Sequence, residues 1–512
     1  MTAALDRIDA LFEHNARTLP DKTHLIDFSG NHQTYLQTYQ RAQLVALALH
    51  QSGVARGDRV LLLLGNSNEL VELYVACSIA GVICVPVNLL STTHELTRII
   101  ADCTPSALVI HHDLLDRVPA DLPPGQLKLR IVVQGVVANW QSYAQLVEQL
   151  PCSMQPQSSD KSDAAVMIYS SGTTGKPKGI LLSQYALMEN ARMTLAVMRY
   201  QQADIMLALL PLFSSFGFSY DFLQVGLAGA TLVTVPKFDP LQVARLVPLH
   251  KVTCLAGVPT MYARLFDQAN LGSTDISSLR LIDVGGGPVS DRLKQELIEV
   301  HGIDVVESYG LSEISPVASV QIPNVAHHAG SCGPALPGIE VKVVDEQGHQ
   351  VATGEVGELL FRCDTMMVGY WNQPELTAQT LREGWLYSGD VGIVDERGEI
   401  HIRDRIKDII VSSGNNVYPK EVENAILELP AVQSVAVIGV KDEIRGENIH
   451  AFVVLHGGKT ATEVEVIEHC KVLIARYKVP RAVTFLTELP LTASGKIKRF
   501  ELRELAKAAR AS

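Results

Sequence analysis

Short apolar runs that alternate with helix-spaced segments constrain this chain most. Val60–Leu64 is followed by helical apolar spacing from Glu69 to Gly81, and Ile83–Val87 reads as the next strand. Leu96–Asp102 then reads as helix and Ala107–Ile110 as strand. The rhythm returns after residue 160, with strands near Ala230–Val235, Val252–Ala256, Leu279–Val284 and Val305–Tyr309. Such repetition implies mostly parallel sheets whose faces are covered by helices. From about Gly338 the pattern changes to short alternating segments with glycine-rich turns: Val341–Val344, Gly357–Phe361, Gly392–Asp395 and Glu399–Ile402. These suggest a smaller β-rich unit. Residues 408–512 read as a compact α/β domain, with helices at Lys420–Glu428 and Glu463–Arg476 and strands at Val435–Val440 and Ala451–Leu455. The expected fold class is α/β. A large N-terminal domain of several subdomains combines parallel-rich sheets, helices and a β-rich subdomain, and a small C-terminal α/β domain follows.

The 512 residues exceed one ordinary domain, and a composition of 47% hydrophobic and 19% charged residues suits a soluble enzyme with large cores. A net charge of −12 argues against non-specific nucleic-acid binding, and it means an anionic substrate needs local positive groups. The eight cysteines are scattered without a CxxC pair, several in apolar runs, as expected of reduced core residues. Residues 1–16 mix Asp, Glu and Arg without an apolar centre, so no signal peptide is expected. No run of about 18 apolar residues exists, so no membrane span is expected and the cytoplasm is the default location. Residues 151–163, rich in Pro, Gln, Ser and Asp, read as an exposed connector.

The apolar strand Ala164–Ile168 leads into Tyr169-Ser170-Ser171-Gly172-Thr173-Thr174-Gly175-Lys176-Pro177-Lys178-Gly179. Glycines let backbone N–H groups approach a ligand, hydroxyls donate hydrogen bonds, and lysines supply charge, so the loop suits a polyphosphate. It is not a Walker P-loop, because Pro177 follows Lys176 where that motif needs Ser or Thr and the leading glycine is missing.

Three further segments join it. They are Glu307-Ser308-Tyr309-Gly310-Leu311-Ser312-Glu313, then Tyr387-Ser388-Gly389-Asp390 with Arg403-Asp404-Arg405-Ile406-Lys407-Asp408, and finally Pro490-Leu491-Thr492-Ala493-Ser494-Gly495-Lys496. In order and spacing they resemble the adenylate-forming superfamily of acyl- and aryl-CoA synthetases, peptide-synthetase adenylation domains and firefly luciferase. The resemblance runs from Leu19-Pro20-Asp21-Lys22 to the last helix and is strongest to stand-alone acyl-CoA synthetases.

It implies that the chain converts a carboxylic acid and ATP into an acyl-adenylate and pyrophosphate, then passes the acyl group to a thiol. Attack of a carboxylate on the α-phosphate joins two anions, so the site must neutralise charge and hold geometry. By this resemblance the loop of Ser170, Ser171, Gly172, Thr173, Thr174, Gly175 and Lys178 wraps the β- and γ-phosphates. Tyr309 stacks on adenine beside Gly310, and Ser312, standing where Thr is commoner, bonds the α-phosphate. Glu313 holds Mg²⁺, a hard cation that prefers carboxylate and water. Asp390 accepts the ribose hydroxyls, and Arg405 contacts the ribose. The turn Gly285-Gly286-Gly287-Pro288 lies beside the adenine and the acyl pocket. Lys496 is the catalytic lysine, bridging the substrate carboxylate and an α-phosphate oxygen, with Thr174 and Glu313 completing the catalytic set.

The same resemblance divides the chain into an acid- and ATP-binding domain (1–404), a hinge (405–407, with Lys407 at the pivot) and a mobile C-terminal domain (408–512). After adenylation the small domain rotates, withdraws Lys496 and opens a thiol channel bordered by Gly414. ATP and Mg²⁺ are the implied cofactors. CoA is the implied co-substrate, or alternatively an acyl or peptidyl carrier protein, and the oligomeric state stays open.

The acid pocket is expected to be formed by Phe213, Ser214, Phe218, Asp221, Gly286 and Gly310. Relatives often read Pro-Leu-Phe-His where this chain has Pro211-Leu212-Phe213-Ser214, so a serine stands in for the histidine that commonly gates the acid. Asp221 is the second departure. A carboxylate facing a fatty tail is costly to bury unpaired, whereas one facing a substrate ammonium is useful. Its alternatives are a helix-surface or structurally paired aspartate, and Phe213, Phe216, Phe218 and Tyr220 equally suit an apolar slot. The leading expectation is a ligase for a medium- or long-chain fatty acid and CoA. The alternatives are an adenylase that loads an amino or short acyl acid onto a carrier protein, a luciferase-like oxygenase, and a non-catalytic ligand-binding member.

Overall fold

The computed structural model describes residues 5–119, 127–148, 160–170, 178–267, 271–287, 291–412, 414–442, 445–492 and 495–511. Most of the expected connector at 151–163 lies outside them.

The strand–helix rhythm is realised within about three residues of expectation. Strands form at Arg59–Leu63, Ile83–Pro86 and Ala107–His111, with helices at Asn68–Ala80 and Thr93–Cys103. Local chemistry sets these ends. Ser67 caps the first helix by accepting the Leu70 N–H, and Gly81 closes it in the left-handed region. Thr92 and Glu95 form a reciprocal capping box on the second.

Among the described residues the strands assemble into two eight-stranded and two five-stranded sheets. One large sheet runs parallel from Thr23–Ile26 through Thr231–Val233, Ile205–Leu207, Cys254–Gly257 and Leu281–Gly285 to Asp304–Gly310. His32–Thr34 and Val317–Val320 close its two edges antiparallel. The second large sheet holds Ala164–Ser170 between Ile83–Pro86, which runs parallel to it, and the antiparallel strand Lys178–Ser183. Residues 340–362 and 381–405 form an antiparallel sheet, the β-rich subdomain, while Gly369–Tyr370 between them pairs with Lys178–Ser183. Residues 410–485 form the fourth sheet, antiparallel except where Ala482–Phe485 joins Gly446–Leu455.

The cores divide accordingly. One apolar cluster spans residues 8–400, and a second, around Leu61, Ile83 and Met167, backs the other face of its sheet. The C-terminal unit has its own clusters, one around Val422, Ile426 and Val437 and one under Leu502. Seven of the cysteines are buried and free, as expected; Cys152 is outside the described residues.

Two features position the site. Parallel strands Leu281–Gly285 and Asp304–Gly310 end side by side, with Gly285 opposite Ser308. Ligands of open α/β sheets sit beyond such carboxyl ends. Facing them, the segment Phe218–Gln224 winds as a π-helix and is buried along its whole length. Its wider turn is a frequent feature of functional sites.

Candidate active site

The Asp304–Gly310 strand delivers Tyr309, and the antiparallel pair Trp385–Val394 and Ile400–Arg405 delivers Asp390 directly opposite Arg405. The three side chains converge. The Tyr309 hydroxyl donates to Asp390 Oδ2 at 2.6 Å, and Arg405 Nε pairs with Asp390 Oδ1 at 3.0 Å. Asp390 holds the Arg405 guanidinium above its ordinary pKa, and burial pushes the Tyr309 phenol well up. The Tyr309 ring lies 5.8 Å from that of Phe361, which supports it from behind.

Gly310 marks a close approach, since a Cβ there would lie 2.1 Å from the Pro316 carbonyl oxygen. The short 3₁₀ turn Ser312–Ile314 follows. Ser312 Oγ is 2.8 Å from Ser215 Oγ, and Glu313 Oε1 accepts from the Tyr370 hydroxyl at 2.8 Å. The Lys178 ammonium lies over the Tyr370 ring, 5.8 Å from its centre. Ser170 ends its strand paired in register with Lys178. Ser171, Gly172, Thr173, Thr174 and Gly175 lie outside the described residues. Ser215 and Tyr370 were not anticipated. Each comes from an element distant in sequence from Ser312 and Glu313, although Ser215 directly follows the Pro211–Ser214 segment.

Lys496 arrives from the C-terminal unit. Thr492 accepts the Gly495 N–H on its carbonyl and the Lys496 N–H on its hydroxyl, forming a tight turn. Gly495 has φ +77, and a Cβ there would lie 2.6 Å from Val258. Only glycine lets the turn dock. Thr260 Oγ1 donates to the Gly495 carbonyl at 3.3 Å. Lys496 Cε then lies 3.6 Å from the position a Cβ of Gly286 would take. The lysine is open to solvent at the cleft mouth yet ringed by protein. Burial, followed by Arg405, lowers its pKa, while Asp390 and Glu313 act in the opposite direction. One cleft thus gathers Lys496, Gly286, Tyr309, Glu313, Asp390 and Arg405. Lys407 sits in the 3₁₀ turn Ile406–Asp408 beside it. Gly414 does not join them: it is exposed, and a Cβ there would meet no described atom within 4 Å.

The acid side differs in part from expectation. Ser214 caps the short helix Ser215–Gly217 and bonds the Pro211 carbonyl at 2.7 Å, so its hydroxyl is committed to backbone. Phe218, expected in the pocket, instead packs into the aromatic core against Tyr74 and Phe222, at 4.7 and 5.0 Å between ring centres. Helical geometry places it there, because residues four apart share a face. Phe216 takes the inner position. Its ring lies against Gly285, where a Cβ would come within 2.6 Å, and meets Tyr220 edge-on at 4.8 Å. Phe213 is half-buried and Gly287 borders Pro259.

Asp221 is fully buried, which removes the helix-surface alternative. Burial pushes its carboxyl well up, the Leu210 backbone amide opposes this, and Asp283 adds to it. Asp283, also fully buried, is pushed up to about 7 by burial despite favourable contacts from Ser308 and Tyr220. Ser308 Oγ donates to Asp283 Oδ2 at 3.1 Å. Asp283 was not singled out from the sequence, although a carboxylate within the apolar run Leu281-Ile282-Asp283-Val284 is a visible anomaly.

Comparison with known proteins bears on this cleft. The family model described as AMP-binding enzyme matches residues 12–371, and that described as AMP-binding enzyme C-terminal domain matches 421–496. A long-chain-fatty-acid–CoA ligase of Bacillus subtilis (strain 168) is 34% identical, over 97% of this chain and 94% of the relative. An indoleacetate–CoA ligase of Aromatoleum aromaticum is 34% identical, over 96% and 97%. The crystal structure of the anthranilate CoA ligase AuaEII with anthranoyl-AMP superposes with a TM-score of 0.93 at 31% identity, covering 99% of this chain and 98% of that one.

Proposed function

Because the chain belongs to the family of AMP-binding enzymes, it is an AMP-forming acid–thiol ligase, and we propose that Lys496, Glu313, Asp390 and Arg405 carry its adenylating step. The observation that carries this reading is the lysine turn, which reaches from the C-terminal unit to Gly286 beside those three side chains.

In this first step a carboxylate oxygen of the acid attacks the α-phosphorus of ATP, and the bond to pyrophosphate breaks. The Lys496 ammonium spans the two approaching anions and offsets their repulsion. Asp390, already oriented by Tyr309 and Arg405, receives the ribose hydroxyls. Ser312 reaches the α-phosphate, and the 170–178 loop, with Thr173, Thr174 and Lys178, holds the β- and γ-phosphates. Glu313 is a single carboxylate steadied by one phenol. That suits a hard divalent cation which keeps most of its waters, and Mg²⁺ bound there would offset phosphate charge.

In the second step the thiol sulfur attacks the acyl carbon, its proton is released, and AMP leaves. The 408–512 domain turns about residues 405–407 between the steps, withdrawing Lys496 and bringing Gly414 toward the thiol. CoA is the acceptor.

The name of the Bacillus subtilis relative suggests a long-chain fatty acid. The buried carboxyls on the acid side favour a shorter, functionalised acid instead, nearer those named for the other two relatives.

The test is Lys496→Ala, assayed separately for acid-dependent ATP–pyrophosphate exchange and for thioester formation from a preformed acyl-adenylate. Exchange should fall by at least about 100-fold while thioester formation changes far less. Equal losses in both, or undiminished exchange, would remove Lys496 from this role.

A further inference from the structure

Among the described residues, ten buried side-chain polar atoms have no hydrogen-bond partner. Six of them belong to one turn of the π-helix: Ser219 Oγ, Tyr220 Oη, both oxygens of Asp221 and both amide atoms of Gln224. Tyr200 Oη and Asp283 Oδ1 are two more, and they interact electrostatically with Asp221 and Tyr220. Buried polar groups are ordinarily satisfied, so a cluster of orphans at one place calls for an occupant.

The other buried carboxylates of the described residues show what a structural role looks like. Asp9 holds Arg7, Glu72 holds Arg41, Asp204 holds Arg280, Glu307 holds Lys294 and Glu399 holds His327, and even Asp390 of the nucleotide end holds Arg405. Asp404 accepts two backbone N–H groups. Asp221 has no cationic partner and only the Leu210 backbone amide acting on it, and its one charged neighbour, Asp283, is of like sign.

The cluster is continuous with the cleft. Lys496 Cε lies 3.6 Å from where a Cβ of Gly286 would sit, the adjoining Gly285 lies under Phe216 and Ser308, Ser308 bonds Asp283, and Phe216 packs on Tyr220. An acid whose carboxylate meets Lys496 would therefore extend past Phe216 toward Asp283 and Asp221. The Tyr262 hydroxyl is spent on the Asp283 carbonyl at 2.8 Å, so it closes the wall without meeting the orphans' needs.

We infer that Asp221, Asp283 and Gln224 form a buried polar subsite at the floor of the acid pocket that takes the amino group of an amino-bearing carboxylic acid. An amino group donates two or three hydrogen bonds, and as an ammonium it supplies the counter-charge both carboxylates lack. A bare alkyl tail would leave every orphan unmet, and a second carboxylate would add a third like charge. The inference rests on the ligase reading above and names the class of acid for that same site.

The experiment is ATP–pyrophosphate exchange with acids matched in carbon skeleton: benzoate against the aminobenzoates, and octanoate against 8-aminooctanoate. Wild-type protein should use one amino-bearing member at least tenfold better in kcat/KM than its plain partner. In Asp221→Asn that ratio should fall about tenfold, mainly through KM. The amino-bearing acid should also raise the melting temperature of wild type more than that of Asp221→Asn, a readout independent of turnover. A wild-type preference for the plain acids, or an equal response to both, overturns the subsite even if the variant fails to fold. An unchanged ratio in a folded Asp221→Asn overturns it as well. Absence of exchange with every acid would instead strike the ligase reading, and the subsite would fall with it.

Discussion

The two ends of one cleft are furnished in opposite ways. At the nucleotide end Asp390 has Tyr309 and Arg405, Glu313 has Tyr370, and Ser312 has Ser215 as protein partners. At the acid end both amide atoms of Gln224 and both oxygens of Asp221 lack a hydrogen bond of good geometry, and the Tyr220 hydroxyl has only the neighbouring Asp283 and Ser308 to act on it. A site for a constant ligand can be preorganised by its own contacts. A site that stores unmet hydrogen-bonding capacity bears a stability cost until its ligand comes.

The contrast can be broken in four ways. The largest effect concerns Asp283. Its folded-state pKa of about 7 lies above the unfolded value, so the carboxyl stays protonated in the native state while it ionises in the unfolded one. Its stability contribution is full below about pH 4 and is lost as pH rises toward 7. Asp221 and Tyr220 face it from the π-helix, Ser308 and Glu307 from the neighbouring strand, and Tyr262 and Tyr200 from the far side. Urea unfolding from pH 4 to 7 should show wild type losing on the order of 4 kcal/mol relative to Asp283→Asn. A pH-independent difference would mean the carboxyl is not held neutral.

Second in size is the control at Glu72, which is as buried as Asp221 but paired with Arg41 and Tyr143. Glu72→Ala should cost about 3 kcal/mol in the same assay, because it strands Arg41. Third, Asp221→Asn should raise stability at pH 7, since it removes an unpaired carboxyl that burial holds neutral while keeping its shape. A loss as large as that of Glu72→Ala would show that Asp221 has a structural partner after all. Smallest, Ser215→Ala removes one hydrogen bond at the nucleotide end. It should raise KM for ATP by about fivefold, the kinetic equivalent of about 1 kcal/mol, without altering preference among acids.

Much of the nucleotide end was legible in the sequence, because its residues travel in contiguous motifs. Tyr309 through Glu313 occupy five successive positions, and Asp390 and Arg405 are opposite neighbours on paired strands. The strand–helix rhythm was legible for the same reason: apolar period and capping residues are local. The acid end was not, because its lining is sorted by tertiary geometry. Phe216 and Phe218 are equivalent in composition, and only the turn of the helix sends one to the pocket and the other to Tyr74. Asp221 drew attention as a charge in an aromatic segment. Its neighbour Asp283 lies 62 positions away and meets it only once the strand and the π-helix are packed.

The bare backbone at Gly495 sets a tolerance. With a Cβ position 2.6 Å from Val258, the turn that carries Lys496 seats without a methyl group's thickness to spare. How deep the ammonium reaches is thus gauged by a missing side chain rather than by the lysine's own length. An alanine there would act as a shim, holding an intact lysine back from the carboxylate by the fraction of an ångström that separates reacting atoms from atoms merely in contact.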